Sequence, residues 1–300
     1  MTVRRPAVAG RFYPHQRDAC VQSIEQCLAR APVAPAVSGT IVGGIGPHAG
    51  WVCSGAVAAQ VASTLQANRQ PKTAVLFGAV HVRHSHRASV YPEGAWETPL
   101  GPIEIDAELA NKLVAASETI EANPSAHQSE HSIEVHVPFL QKLIPGLRIV
   151  PVMVPPNEHA PRVGAAVGRA CREAAADVIF LGSTDLTHYG PTYDFVPRGI
   201  GPEGLAWARD ENDRRMIDLV LKMDENAVVP EARKHWNACG AGAIAATIAA
   251  SKELGATRAT LLRHTTSSEV LGDLLNEEPT DAVGYAGIVF SHDSVAAPPP

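Results

Sequence analysis

The chain has 300 residues, of which 45% are hydrophobic and 19% charged, an ordinary globular balance with enough apolar material for a large core. Its formal charge is -6 with a pI near 6.1, and Lys and Arg are scattered, which excludes the basic footprint of a nucleic-acid binder. No apolar run reaches membrane-spanning length, and Pro6 to Gly10 is too short and too broken to be a signal-peptide core, so a cytoplasmic protein is expected.

The five cysteines, Cys20, Cys27, Cys53, Cys171 and Cys239, are odd in number and irregular in spacing. That pattern argues against a disulfide framework and a CxxC zinc module. From Gln16 to Arg30 apolar residues recur at helical spacing, and Pro32 and Pro35 then stop the helix. Thr40 to Ile45 reads as a strand that leads through Gly46-Pro47-His48-Ala49-Gly50 into a small-residue helix from about Ser54 to Leu65. Thr73 to Phe77 is a second such strand, with His81 just beyond its end.

A hairpin region is expected from Ala88 to Ile105, a helix near His131 to Leu143, and a strand from Arg148 to Val154. Val178 to Leu181 is a third buried strand, leaving through a loop that holds Asp185 and His188. Helices over Leu205 to Met223 and Gly240 to Leu254, then strands over Thr257 to Arg263 and Ala282 to Phe290, complete the pattern. Strands alternating with helices predict one α/β domain, residues 1–292, built as a sandwich around a mixed, largely parallel sheet. The Ala/Pro tail, residues 293–300, lacks the apolar side chains that offset ordering entropy and is expected to be disordered.

In open α/β sheets ligands bind beyond the carboxyl ends of the strands. Three such loops carry His48, His81 and His188, and imidazole is the commonest side-chain ligand of iron, copper and zinc. Cys239 is the candidate further donor, because Ala238-Cys239-Gly240 opens a helix, whose N-terminus lowers a thiol's pKa. Plainer readings stand beside these. Thirteen histidines put some on loops by chance, His84 or His86 could replace His81, and Cys239 could be a small packing residue. Asp185 and His188 are spaced for a carboxylate to orient a general acid or base, although Asp185 equally suits an N-cap. Glu130-His131-Ser132-Ile133-Glu134-Val135-His136 lacks the HExxH order, so His131 and Glu134 are expected behind the ligands. For Glu130 a solvated helix start is an equal reading.

Arg5-Pro6-Ala7-Val8-Ala9-Gly10-Arg11-Phe12-Tyr13-Pro14, Pro47-His48-Ala49-Gly50, the Glu130 to His136 run, Ser183-Thr184-Asp185-Leu186-Thr187-His188-Tyr189-Gly190 and Cys239-Gly240 together resemble the successive signatures of the Memo family. Its bacterial and archaeal members are called AmmeMemoRadiSam system protein B. The resemblance runs from about Arg4 to Phe290 and implies a fold similar to class III extradiol dioxygenases, with a metal site of His48, His81 and Cys239. Two departures stand out. The dioxygenases complete their iron site with a carboxylate where Cys239 stands, and the family's Gly-Pro-Ser-His-like turn is here Gly78-Ala79-Val80-His81. The expectation is a redox enzyme using Fe(II), or copper, on an unknown small substrate, with His188 and Asp185 as acid-base and orienting groups. A zinc hydrolase is one alternative. The other is an adaptor, as vertebrate Memo relatives are described, with AMMECR-type and radical SAM proteins the partners that the family name implies.

Overall fold

Strands buried on both faces read as continuous apolar runs, and three of them form the centre of this protein. In the computed structural model, which describes residues 2–82, 85–275 and 279–293, β1 (Val3–Arg4) and α1 (Arg17–Arg30) come first. His84 and residues 294–300 of the expected tail lie outside the described residues. Next come β2 (Thr40–Gly46), α2 (Trp51–Asn68) and β3 (Thr73–Gly78). Helix α2 starts directly after Gly50, earlier than the sequence suggested.

The expected hairpin region divides. β4 (Ala88–Val90) joins the large sheet, whereas β5 (Ala95–Thr98) pairs with β6 (Gly101–Glu104) on one side and with β1 on the other in a separate three-stranded sheet. Two elements not read from sequence follow, α3 (Ala107–Ala115) and β7 (Ile120–Ala122). The helix expected from His131 begins later, as a 3-10 turn over Glu134–His136 that continues into α4 (Val137–Leu143). Then come β8 (Arg148–Met153), α5 (Ala160–Glu173), β9 (Val178–Ser183) and β10 (His188–Tyr189). The helix expected over Leu205 to Met223 is split by a π turn, Ala208–Asn212, into α6 (Pro202–Trp207) and α7 (Asp213–Leu221). The chain closes with α8 (Glu225–His235), α9 (Ala241–Glu253), β11 (Arg258–Thr266), α10 (Ser267–Leu275) and β12 (Ala282–His292).

Among the described residues the large sheet has nine strands in the order β10-β12-β2-β9-β3-β8-β4-β7, with β11 also on β12. Its middle strands β2, β9, β3 and β8 are parallel. The margins are mixed, since β12 runs antiparallel to β2 and β4 antiparallel to β8. Successive residues of β2 face opposite layers: Gly43 lies against Ser251 of α9 and Gly44 against Val61 of α2. Helices therefore cover both faces, and one continuous core runs through both layers. The expected α/β sandwich is the observed fold. Because β9 lies between β2 and β3, the loops leaving their carboxyl ends emerge side by side.

Candidate metal centre

The register pairs Gly46 at the end of β2 with Ser183 at the end of β9. Residues just past both ends are therefore neighbours. Cys239 arrives from the opposite direction, at the turn before α9. A Cβ on Gly240 would stand 2.2 Å from the Ser183 carbonyl oxygen, so only glycine lets this turn lie against β9.

His48 is 2% exposed and forms the floor of the centre. Its Nδ1 lies 2.8 Å from Ser183 Oγ, and His136 Nε2 lies 3.1 Å from the same oxygen. Ser183 donates its only hydroxyl proton to the Ser132 carbonyl at 2.6 Å. Both imidazoles must then donate to Ser183, which fixes His48 as the Nδ1–H tautomer and leaves a lone pair on Nε2. Burial, reinforced by the neighbouring histidines, holds the His48 pKa well below its usual value. Burial alone brings His136 down to about 4. Both rings are neutral at neutral pH.

His81 is held by a charge instead. Its Nδ1 lies 2.9 Å from Glu130 Oε1, and its amide donates to Glu130 Oε2 at 2.8 Å. The His131 and Ser132 amides each donate to Glu130 Oε1 at 2.9 Å. Burial alone would raise the Glu130 pKa, but the His81 contact and the amides overturn it and bring it to about 2. Burial likewise opposes the His81 cation, and Glu130 wins by raising its pKa. The His131 ring stacks on His81 with centroids 4.7 Å apart, while Phe12 meets its other side edge-on at 5.0 Å. One ring nitrogen each from His48, His81 and His131 lie within 4.8 Å of one another. His131, which the sequence put behind His48 and His81, shares this ring cluster.

Cys239 Sγ lies 3.2 Å from His48 Nε2 and accepts the Asp185 amide at 3.2 Å. The thiol's pKa is pushed well up, first by burial and then by the Asp185 carboxylate. This reverses the expectation from the helix N-terminus, because desolvation outweighs the dipole. Asp185 accepts the His48 amide at 2.7 Å, and burial raises its carboxyl to about 7 despite that bond and one from the Ala49 amide. No hydrogen bond joins Asp185 to His188 among the described residues. His188 meets the Tyr193 ring edge-on at 5.1 Å, and burial, then the charge of His81, lowers its pKa to about 4. It lines a cavity of about 480 Å³ with Tyr193, Phe195, Trp236 and Cys239.

Among the described residues no hydrogen bond joins Glu134 to these imidazoles, although its charge acts on His131. Its buried carboxylate takes Arg4 Nη1 at 2.8 Å, the amides of Ala7 and Val8 at 2.7 and 2.9 Å, and the Tyr13 hydroxyl at 2.8 Å. It thereby clamps the N-terminal segment to the turn that carries Glu130 and His131. Ser183 and His136 were not picked out from the sequence, where a serine after an apolar strand gives no signal of its partners.

The donor chemistry suits a metal. Metal-bound histidines characteristically spend their second ring nitrogen on an oxygen that fixes tautomer and orientation, as Ser183 does for His48 and Glu130 for His81. The three imidazoles form a group that could hold an ion.

A family model described as Memo-like protein matches residues 4–289. The chain is 41% identical over 294 residues to a MEMO1 family protein of Methanothermobacter thermautotrophicus, covering 95% of this chain and 99% of that one. It is 40% identical over 299 residues to one from Pyrococcus abyssi, covering 96% and 99%. A crystal structure of uncharacterized protein JW3007 from Escherichia coli K12 shares the fold at a TM-score of 0.52 and 11% identity, covering 83% of this chain and 99% of that one. The match along the whole core, with these identities over nearly full length, means that this chain belongs to the Memo family.

Proposed function

We propose that the chain is a metal-dependent oxidoreductase that holds one iron(II) ion, or copper in its place, through His48, His81 and Cys239. The carrying observation is that His48 Nε2, stripped of its proton by the Ser183 bond, lies 3.2 Å from the Cys239 sulfur. A soft thiolate beside two imidazoles suits iron(II) and copper better than the hard oxygen-loving cations. Such an ion would supply electron exchange with dioxygen or an oxidisable substrate. The protein's part is to bind that substrate in the cavity along Tyr193, Phe195 and Trp236 and to exclude water from the floor. His188, neutral near pH 7, can take a substrate proton onto a ring nitrogen. Because the Cys239 thiol is protonated without metal, loading must release a proton, and affinity rises with pH.

A second reading has its own support. The mutual proximity of His48, His81 and His131 fits an all-imidazole set of the kind that binds zinc for hydrolysis. Anaerobic calorimetric titration of metal-free protein with ferrous ion separates the two. One-to-one binding lost in His48→Ala and in Cys239→Ser is the expected result. Binding indifferent to Cys239→Ser but lost in His131→Ala transfers the third ligand to His131 and favours the zinc reading. Metal-dependent oxygen consumption that His48→Ala abolishes would supply the redox part, and its absence across a substrate panel counts against it.

A further inference from the structure

Beside the first turns of α2 lies a second cavity, of about 480 Å³, with Val52, Cys53, Val57 and Val270 among its walls. It also presents two guanidinium groups, Arg30 from the end of α1 and Arg263 from β11. The β11–β12 register breaks between Leu261 and Arg263. Arg263 Nη1 is sealed from solvent and has no hydrogen-bond partner among the described residues. Arg30 is exposed at the rim, its Nε donating to the Gln26 carbonyl at 3.4 Å and its charge also acting on the Cys27 thiol. Among the described residues of the lining the one acidic group, Glu269, is spent elsewhere: it accepts Thr265 Oγ1, the Thr266 amide and Arg209 Nη1, each at 2.9 Å.

A buried guanidinium nitrogen without a partner is costly, and a second cation facing the same space adds to that cost. An oxyanion between them would remove both, since the guanidinium fork matches carboxylate and phosphate oxygens. We infer that this cavity is a binding site for a small oxyanion carried on a short apolar body, its head between Arg263 and Arg30 and its body against Val52, Val57 and Val270. The overall charge of -6 repels anions at long range, so recognition has to be local and depends on these two residues. The site uses none of the proposed metal ligands.

Cys53, half-buried in the wall, reports occupancy. The full-length, metal-free protein is alkylated with N-ethylmaleimide and modification at Cys53 is followed by peptide mass spectrometry. Probes are sodium phosphate and sodium butyrate, with sodium chloride holding ionic strength constant. Either probe, at ten times its dissociation constant, should slow Cys53 alkylation about tenfold and saturably. Protection by butyrate at lower concentration than phosphate assigns the apolar body as well as the head; equal protection confines recognition to the head. Arg263→Met should abolish protection, judged against that variant's own uninhibited Cys53 rate, and Arg263→Lys and Arg30→Met should weaken it. If Arg263→Met does not fold, the latter two carry the test. No protection by either probe, or equal protection in the arginine variants, overturns the site. Repeating the titration with iron-loaded protein keeps the outcome separate from the metal centre, because failure of one leaves the other standing.

Discussion

The two sides of the candidate metal centre hold equivalent imidazoles by opposite means. On the floor, His48 is buried, neutral and fixed by a serine hydroxyl shared with His136. At the mouth, His81 has a third of its side chain exposed and is fixed by an ionised carboxylate. A charge on the floor would have to be desolvated completely, whereas at the mouth four converging donors support the buried Glu130 anion and His81 keeps a third of its side chain in solvent. The floor is thereby set to offer a lone pair at any ordinary pH, and the mouth to respond to protons. Changes that strike one side alone should expose this division.

The largest effect belongs to the clamp beneath the mouth. Arg4 is fully buried, and besides Glu134 it donates to the carbonyls of His127 and Glu130, each at 2.6 Å. Arg4→Met strands the Glu134 carboxylate without its cation and should cost about 3–5 kcal/mol, read from the urea midpoint. A loss within 1 kcal/mol, roughly that of an exposed ion pair, would mean that the amides and Tyr13 suffice to hold Glu134.

Acid should act on the same side. Glu130 is held near a pKa of about 2, below its usual 4.5. Its stabilisation is complete above pH 4.5 and lost as pH falls through 2, on the order of 3 kcal/mol in all. The raised His81 is the other half of the same interaction and is counted once. Its contribution is complete below pH 6.5 and fades as pH climbs through the raised value. Metal-free protein should therefore be most stable between these limits. Identical acid-unfolding curves for the native chain and Glu130→Gln would break the assignment.

Ser183→Ala strikes the floor alone. It removes the acceptor for two buried imidazole N–H groups and the donor to Ser132. The unsatisfied groups should cost about 1–3 kcal/mol, with no change in the acid limb. A shifted acid limb would show that floor and mouth titrate as one unit.

How much of this was legible in sequence depends on the range of the interaction. Strands β2, β3 and β9 announce themselves because burial on both faces leaves nothing but apolar and small residues, and from them the convergence of the His48, His81 and Asp185 loops follows. Helix α5 did not. Its buried face carries Gly164 and Gly168, which read as helix breakers, yet a Cβ at Gly164 would stand 2.1 Å from the Ala246 carbonyl oxygen; the glycines are there for close contact with α9. Glu130 and His81 are 49 positions apart, and no local period links them, so the ionic partner looked equally like a solvated helix start. The direction of the Cys239 shift was hidden for a related reason: the helix terminus is local and visible, whereas the burial that overrides it is tertiary. His131 and the Asp185 carboxylate exchanged expected neighbours in the same way, one joining the ring cluster and the other serving the amides of His48 and Ala49.

The effect of Glu130→Gln on metal binding is the most discriminating. Glutamine has the carboxylate's shape, but only one of its two head atoms accepts. If its oxygen keeps the three donors now on Oε1, its amino group faces the His81 amide, donor against donor. Loss of orientation at one ligand should weaken ferrous ion binding about 10–100-fold at neutral pH, the usual range for groups that fix a metal-bound histidine. The pH dependence should move in the opposite sense to the affinity. In the native chain the raised His81 pKa lets protons compete with metal up to a higher pH; without the carboxylate that pKa falls, and the acid-side decline in affinity should begin at lower pH. Ser183→Ala leaves Glu130 in place, so it should lower affinity while keeping the native pH midpoint. Calorimetric titrations across pH on both variants decide the matter. A midpoint that moves in Ser183→Ala and stays fixed in Glu130→Gln would reverse the roles assigned to floor and mouth.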